Sequence, residues 1–161
     1  MWLGIVAVIV LVAVACYLNA ITITFTSCSQ FEEYYRNPNE KKTRMLFKKG
    51  CDCKRIVIGN ECFRKVRVFK LDGLCELESV VIGSGSFMIS DKERNDGSYR
   101  IVNCPKLKSI QIGGNSFYDY HSFELNNLPS LQSIYIGGDL CFEYAPSFSL
   151  TDLPQLQSVK L

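Results

Sequence analysis

Apolar and polar residues recur in a fixed register along the second two-thirds of the chain. The segments are Cys53-x-x-Ile56-x-Ile58, Leu77-x-x-Val80-x-Ile82, Leu107-x-x-Ile110-x-Ile112, Leu131-x-x-Ile134-x-Ile136 and Leu156-x-x-Val159-x-Leu161. Alternation of apolar and polar positions is the signature of a strand with one face buried. Gly59, Gly83, Gly113 and Gly137 follow four of the segments, at spacings of 24, 30 and 24 residues. The pattern predicts strands at 55–59, 79–83, 108–112, 132–136 and 157–161, side by side in one parallel sheet. Five residues past the last apolar position of the first three strands stands an aromatic: Phe63, Phe87 and Phe117. The fourth copy carries one residue more, so Cys141 or Phe142 fills the place.

A second apolar segment precedes each strand from the second onward. It reads Phe69-x-Leu71-x-x-Leu74-x-x-Leu77, and its later copies begin at Tyr99, Phe123 and Phe148. Pro105, Pro129 and Pro154 share one column of it. A unit this short cannot bury its own apolar face, so neighbours must stack to close a core. The expected fold is a repeat solenoid. The larger spacing between the second and third copies places an insertion in the polar run 90–97, expected as an outward loop.

With these columns in place, Leu107 to Phe117, L-x-x-I-x-I-x-x-N-x-F, resembles the leucine-rich repeat family. The resemblance covers residues 53–161 and implies a leucine-rich-repeat-like stack around a parallel sheet. The family's Asn column reads Glu61, Gly85, Asn115 and Asp139, so its side-chain Asn ladder is mostly lost. Cys51-x-Cys53 followed by Cys62 is similar to the disulfide-bonded amino-terminal cap of extracellular members. That cap usually has another Cys just upstream, and the nearest one here is Cys28.

The amino terminus is of a different kind. Met1 to Leu18 carries no charge, and the apolar character continues through Ile21-Thr22-Ile23-Thr24-Phe25. A bilayer-spanning helix needs about 20 such residues, so residues 3–25 are expected as one apolar helix lying apart from the repeats. Ala13-Val14-Ala15 also fits a signal-peptide cleavage site. Residues 1–27 are therefore expected as a membrane anchor or a secretory signal peptide; a buried core strand or helix is disfavoured, because a solenoid of this size has no place for so long an apolar run. As an anchor, with Arg36 and the lysines of 41–49 following, they place the repeats in the cytoplasm; as a signal peptide, they place them outside.

Residues 28–50 read as a helical cap or linker between this segment and a solenoid at 51–161. Ser29 and Glu32 form a capping box for a short helix that Pro38 ends. Asn39 and Gly50 bracket a second helix over 40–49, with Lys41, Lys42, Arg44, Lys48 and Lys49 as a solvated basic face or a lipid-headgroup contact. The last copy stops in mid-strand at Leu161. That favours a truncated stack over an end covered by a partner or another copy.

Composition narrows the functions. The 161 residues carry net charge +2, and no basic face with interleaved aromatics points to nucleic acid. His121, expected in a loop between repeats, is the single histidine, no activated nucleophile accompanies it, and Gly83-Ser84-Gly85-Ser86 lacks the Lys of a phosphate loop. No enzyme activity, cofactor, metal or small-molecule substrate is expected. Cys53 and Cys104 occupy Leu columns and read as small core residues; Cys62 and Cys141 lie too far apart to bond.

What remains is the outward side of the strands. The column Ser79, Ser109, Ser133 and Ser158 is regular and reads as structural. Arg55, Val57, Val81, Gln111, Tyr135 and Lys160 vary from copy to copy, as a recognition surface does. The expected function is non-catalytic protein–protein recognition by a membrane-associated domain. The alternative is a structural or truncated solenoid without a specific ligand.

Overall fold

The computed structural model describes residues 22–25, 27–36, 38, 42–89, 97–138, 140–143 and 145–161. Strand β1 (Thr22–Phe25) leads into helix α1 (Cys28–Arg36). Then come β2 (Arg44–Phe47), β3 (Arg55–Ile58), β4 (Val68–Asp72), β5 (Ser79–Ile82), β6 (Gly97–Val102), β7 (Ser109–Ile112), β8 (Tyr120–Asn126), β9 (Ser133–Ile136), β10 (Ser147–Thr151) and β11 (Ser158–Lys160). Odd and even strands separate into two parallel sheets. The first runs β1-β2-β4-β6-β8-β10 and the second β3-β5-β7-β9-β11. From β2 onward each turn of the coil gives one strand to each sheet, so the fold is a parallel β-solenoid of about five turns.

The five predicted strands are present and parallel, each within a residue or two of the expected bounds. Their alternate residues Ile56, Ile58, Val80, Ile82, Ile110, Ile112, Ile134 and Ile136 point inward and are buried. The upstream apolar segments are strands as well, and they build the opposing sheet. Phe69, Tyr99, Phe123 and Phe148 occupy one register row there, and successive rings stack at 5.5, 5.0 and 5.0 Å. Leu71, Ile101, Leu125 and Leu150 fill the next inward row. Leu74, Cys104 and Leu128 then close the corner between the sheets, fully buried, so Cys104 is the small core residue its column implies.

The other corner holds the second aromatic stack. Phe63, Phe87, Phe117 and Phe142 follow one another at 5.7, 4.7 and 5.1 Å. Phe142 therefore fills the aromatic place of the fourth copy. Each of these phenylalanines has a φ of 52–57°, a region that bulky residues rarely enter. The left-handed step turns the ring into the core, where burial of a large apolar side chain offsets a cost of roughly 1–3 kcal/mol. From the second ring onward, the side chain before the ring ties adjacent turns together. Ser86 Oγ donates to the Gly59 carbonyl at 2.7 Å, Ser116 Oγ to that of Gly83 at 2.8 Å, and Cys141 Sγ to that of Gly113 at 3.1 Å. This Ser/Cys ladder joins the turns where the Asn ladder of the resemblance is lost.

The repeated glycines serve close approach. A Cβ on Gly83 would lie 2.6 Å from backbone atoms of Asn60 and Gly59, and one on Gly113 would lie 2.6 Å from the Ser84 nitrogen. Adjacent turns touch backbone to backbone there.

Three expectations change. Residues 22–25, assigned to an apolar helix apart from the repeats, form β1, paired in register with β2. Phe25 is buried against Phe31 and Phe47. The Thr-Ile-Thr-Phe alternation is a strand pattern, and an open edge of the first sheet was there to pair with it. Residues 1–21 of the expected anchor lie outside the described residues. The second helix, 40–49, is replaced by β2 over 44–47, because Met45 and Phe47 enter the inward rows beside Phe69 and Leu71. Lys42 and Arg44 are thereby separated from Lys48 and Lys49 by the length of the strand and do not share a helix face with them. His121, expected in a loop between repeats, stands exposed on β8. The inserted run 90–96 lies outside the described residues, and Gly97 opens β6.

Candidate partner-binding face

Helix α1 decides where the second sheet begins. Lying before the first complete turn, it takes the place that a second-sheet strand takes in every turn after it. At the second sheet's glycines, the N–H of Gly83 donates to the Ile58 carbonyl and that of Gly113 to the Ile82 carbonyl, at 2.8 and 2.7 Å. Gly59 has no preceding strand to bond. Its N–H donates instead to the Tyr35 hydroxyl of α1, at 2.8 Å. That donation lowers the Tyr35 pKa, but burial and the adjacent Cys62 thiol outweigh it and leave the phenol raised. Tyr34 stacks on Phe63 at 6.2 Å and adds a rung to the aromatic column, while Phe31 turns into the core. The helix thus covers the open end of the coil. Its start is held by Ser27 Oγ, which accepts from the Gln30 N–H at 3.4 Å, so Ser27 takes the capping role expected of Ser29.

Outside the second sheet, strand pairing sets two rows. Arg55, Ser79, Ser109, Ser133 and Ser158 are register partners in one; Val57, Val81, Gln111, Tyr135 and Lys160 are partners in the other. All six candidate recognition residues are therefore on one face. Five of them form a straight line across the strands, roughly 19 Å long at about 4.8 Å per strand. Val57 is 50% exposed and Tyr135 40%, large values for apolar and aromatic side chains on a sheet. The Tyr135 ring lies flat, so close that a Cβ on Gly137 would meet it at 2.6 Å. Lys160 Nζ sits 5.6 Å from the ring centroid, on its π face. Ring and ammonium thereby sit against each other on the face.

The borders of the face are built differently. On the side where the strands enter, acidic and basic residues pair between turns: Glu76 with Lys106 at 2.9 Å and Glu78 with Lys108 at 3.7 Å. At the first strand, α1 rises beside the sheet. Phe31, Glu32, Tyr35 and Arg36 of the helix face Arg55 and Val57 across a cleft of about 440 Å³. Sequence reasoning reached the face through strand alternation but not this cleft, which depends on a helix–strand contact spanning about 24 residues. The capping-box motif marked that a helix exists, not where it docks.

Two other hollows lie elsewhere. One of about 720 Å³ runs along the first sheet's turns, between Lys48, Lys49 and Lys70 and the chain of Asp72, Asn103 and Asn127. Asn127 Nδ2 donates to Asn103 and Asn103 Nδ2 to Asp72, at 2.9 and 3.0 Å. Burial would raise the Asp72 pKa, but Lys70 and Asn103 outweigh it and hold the carboxyl below its usual value. The other, of about 490 Å³, lies between α1 and the corner at Phe63. Among the described residues no group of three or more His, Cys, Asp or Glu could hold a metal ion. No helix among them is long and apolar enough to cross a membrane.

Comparison with known proteins finds no match: no family model, no curated protein and no solved structure is significantly similar to this chain.

Proposed function

We propose that the chain is a non-catalytic recognition module whose partner is another protein, read by the outer face of the second sheet. The observation that carries this reading is the row Val57, Val81, Gln111, Tyr135 and Lys160. Its chemistry runs from aliphatic through amide to aromatic and cationic along a rigid line, while the adjacent row holds Ser at four of its five places. Tyr is a common interface anchor because it brings area and a hydroxyl at small entropic cost. The leucine-rich-repeat likeness fits this role and rests on the apolar columns alone. Residues 3–21, the apolar run left once β1 is removed from it, tether the module to a membrane or direct its export.

The test is cross-linked capture by the full-length chain against the double variant Gln111→Ala/Tyr135→Ala. Partners retained by the natural chain should fall at least tenfold with the variant, with thermal stability unchanged. Equal yields of the same partners from both proteins would sink the reading. Sequencing the mature amino terminus separates tether from export signal. The alternative, a structural solenoid without a ligand, draws on the exposed apolar residues of the last turn, and it predicts that equality.

A further inference from the structure

Cations along the middle of the coil pair with carboxylates. Lys70 meets Asp72 at 2.9 Å and Arg100 meets Glu124 at 3.1 Å, besides the two pairs that border the recognition face. The first two turns differ where the strands of the first sheet begin. Thr22 and Arg44 are register partners, and so are Arg44 and Val68. The N–H of Arg67 donates to the Thr43 carbonyl at 2.6 Å, which sets the run 64–67 beside 42–44. Lys42, Arg44, Arg64, Lys65 and Arg67 thus collect at one corner. Arg64 and Lys65 are exposed and the other three half-buried. Arg44 and Arg64 make no ion pair with any described residue. Lys42, Arg64 and Lys65 also border the hollow of about 490 Å³, whose other walls include Tyr34, Tyr35 and one carboxylate, Glu61.

We propose that this corner is the chain's contact with an anionic lipid leaflet, whose headgroup phosphates and carboxylates meet the five cations. The proposal rests on the membrane-tether arm of the function proposed above. What selects a bilayer over a soluble acidic partner is the place where the apolar run ends. Thr22 directly follows residues 3–21 and opens β1 level with Arg44. Thr22, Arg44 and Val68 together span roughly 10 Å, at about 4.8 Å per strand. A tether through 3–21 therefore enters the fold at the basic corner and brings that corner to the headgroups. Basic residues beside an inserted segment are drawn to anionic lipid, each worth roughly fivefold in binding. The rings of Tyr34 and Tyr35 suit the same depth, since amphipathic aromatics settle at the level of the headgroups. The hollow between them and the cations has room for a headgroup phosphate. Lys48 and Lys49 stand at the other end of β2 and face away from the leaflet.

The test reconstitutes the full-length chain into phosphatidylcholine vesicles with or without phosphatidylserine. Lysines are acetylated with a reagent that does not cross the bilayer and read by peptide mass spectrometry. Lys65 should label at least about fivefold more slowly when phosphatidylserine is present, while Lys106 and Lys108 label equally in both lipids. Molar salt should remove the difference, because it shortens the screening length from about 10 Å at 0.1 M to about 3 Å. Arg44→Gln/Arg64→Gln should lose the protection. Lys48→Gln/Lys49→Gln removes the same charge from the far end of β2 and should keep it. Both variants should hold the natural Tm, since none of the four side chains is buried. Equal labelling of Lys65 in both lipids, with the chain incorporated in both, would overturn the proposal in favour of a soluble acidic partner and leave the tether standing. A chain that enters neither vesicle would overturn the tether and this contact with it. Protection lost alike in both double variants would mean a diffuse attraction of net charge, and the corner would fall as a site.

Discussion

The two ends of the coil contain the same columns and treat them in opposite ways. At the start, Met45, Phe47 and Ile56 of the first complete turn are all 0% exposed, because β1 and α1 lie over that turn. In the last turn Phe148, Leu150 and Val159 occupy the equivalent inward places and are 51%, 46% and 47% exposed. Strand register gives both sets the same role. The difference lies in the cover: a helix with one inward ring, one stacked ring and one phenol that accepts the Gly59 N–H just past the edge strand. A solenoid turn is thus apolar by pattern but buried only by its neighbour.

The largest test of this contrast compares Phe31→Ala with Phe148→Ala. Phe31 is enclosed, so its truncation removes buried area and leaves a cavity, costing about 3–5 kcal/mol. Phe148 already gives half its surface to water and touches partners on one side, so its loss should cost about 1–2 kcal/mol. Urea unfolding of both variants measures the pair. Equal losses would mean that the helix is not the cover described here.

The contrast also marks how far the sequence could be read. The strands of the second sheet were legible because Ile and Val alternate there over several copies, and the outward row followed from that alternation. The first sheet was not, because Phe69-x-Leu71 runs straight into Leu74 and Leu77 and its strand period is lost in the longer segment. β1 was absorbed into the apolar run before it. β2 was mistaken for a helix because Asn39 and Gly50 resemble caps, yet four residues pairing with Val68–Leu71 outweighed those local signals. The candidate face was largely readable, its cleft at α1 was not. No local pattern announces that the Tyr35 phenol will reach Gly59, 24 residues on.

Alkaline pH should weaken the covered turns next. Burial raises the thiol of Cys104 from an ordinary value near 9 to about 11, and it raises Cys53 and Cys141 as well. In the unfolded chain these thiols ionise near pH 9; in the folded chain they keep their protons. The native state therefore holds more protons between the two values, and stability falls as pH rises through that window. Full stability is expected below about pH 9, with a loss of about 2–3 kcal/mol from Cys104 alone by pH 11. Cys104→Ala should flatten the slope of stability against pH over that window, whatever it does at neutral pH. An unchanged slope would place the alkaline loss elsewhere.

A smaller effect isolates the hydrogen bond that makes the helix a substitute strand. Tyr35→Phe keeps the ring and removes the acceptor, leaving the Gly59 N–H unpaired in a half-buried place. The cost should be about 1–2 kcal/mol. Amide exchange at Gly59 should quicken while that at Gly113, bonded to Ile82, stays slow. Uniform quickening at both glycines would show that the phenol does not act at the edge alone.

The smallest expected effect has the opposite sign and lies midway between the ends. Tyr99 stacks between Phe69 and Phe123, fully buried, and its hydroxyl has no hydrogen-bond partner among the described residues. Burial pushes its pKa well up, as expected for a phenol with nothing to stabilise its charge. The positions above and below it in the column are Phe, so the ring is the part the stack requires. A buried hydroxyl without a partner carries a desolvation penalty of about 1–3 kcal/mol. Tyr99→Phe removes that penalty and leaves a space of only one oxygen atom, so stability should rise by about 1 kcal/mol. Because the site is two turns from the helix and covered on both sides, the gain should persist in a Phe31→Ala background. A loss of stability in Tyr99→Phe would mean that the hydroxyl is satisfied in solution, and a gain that vanishes with Phe31→Ala would mean that the cover reaches the middle of the coil.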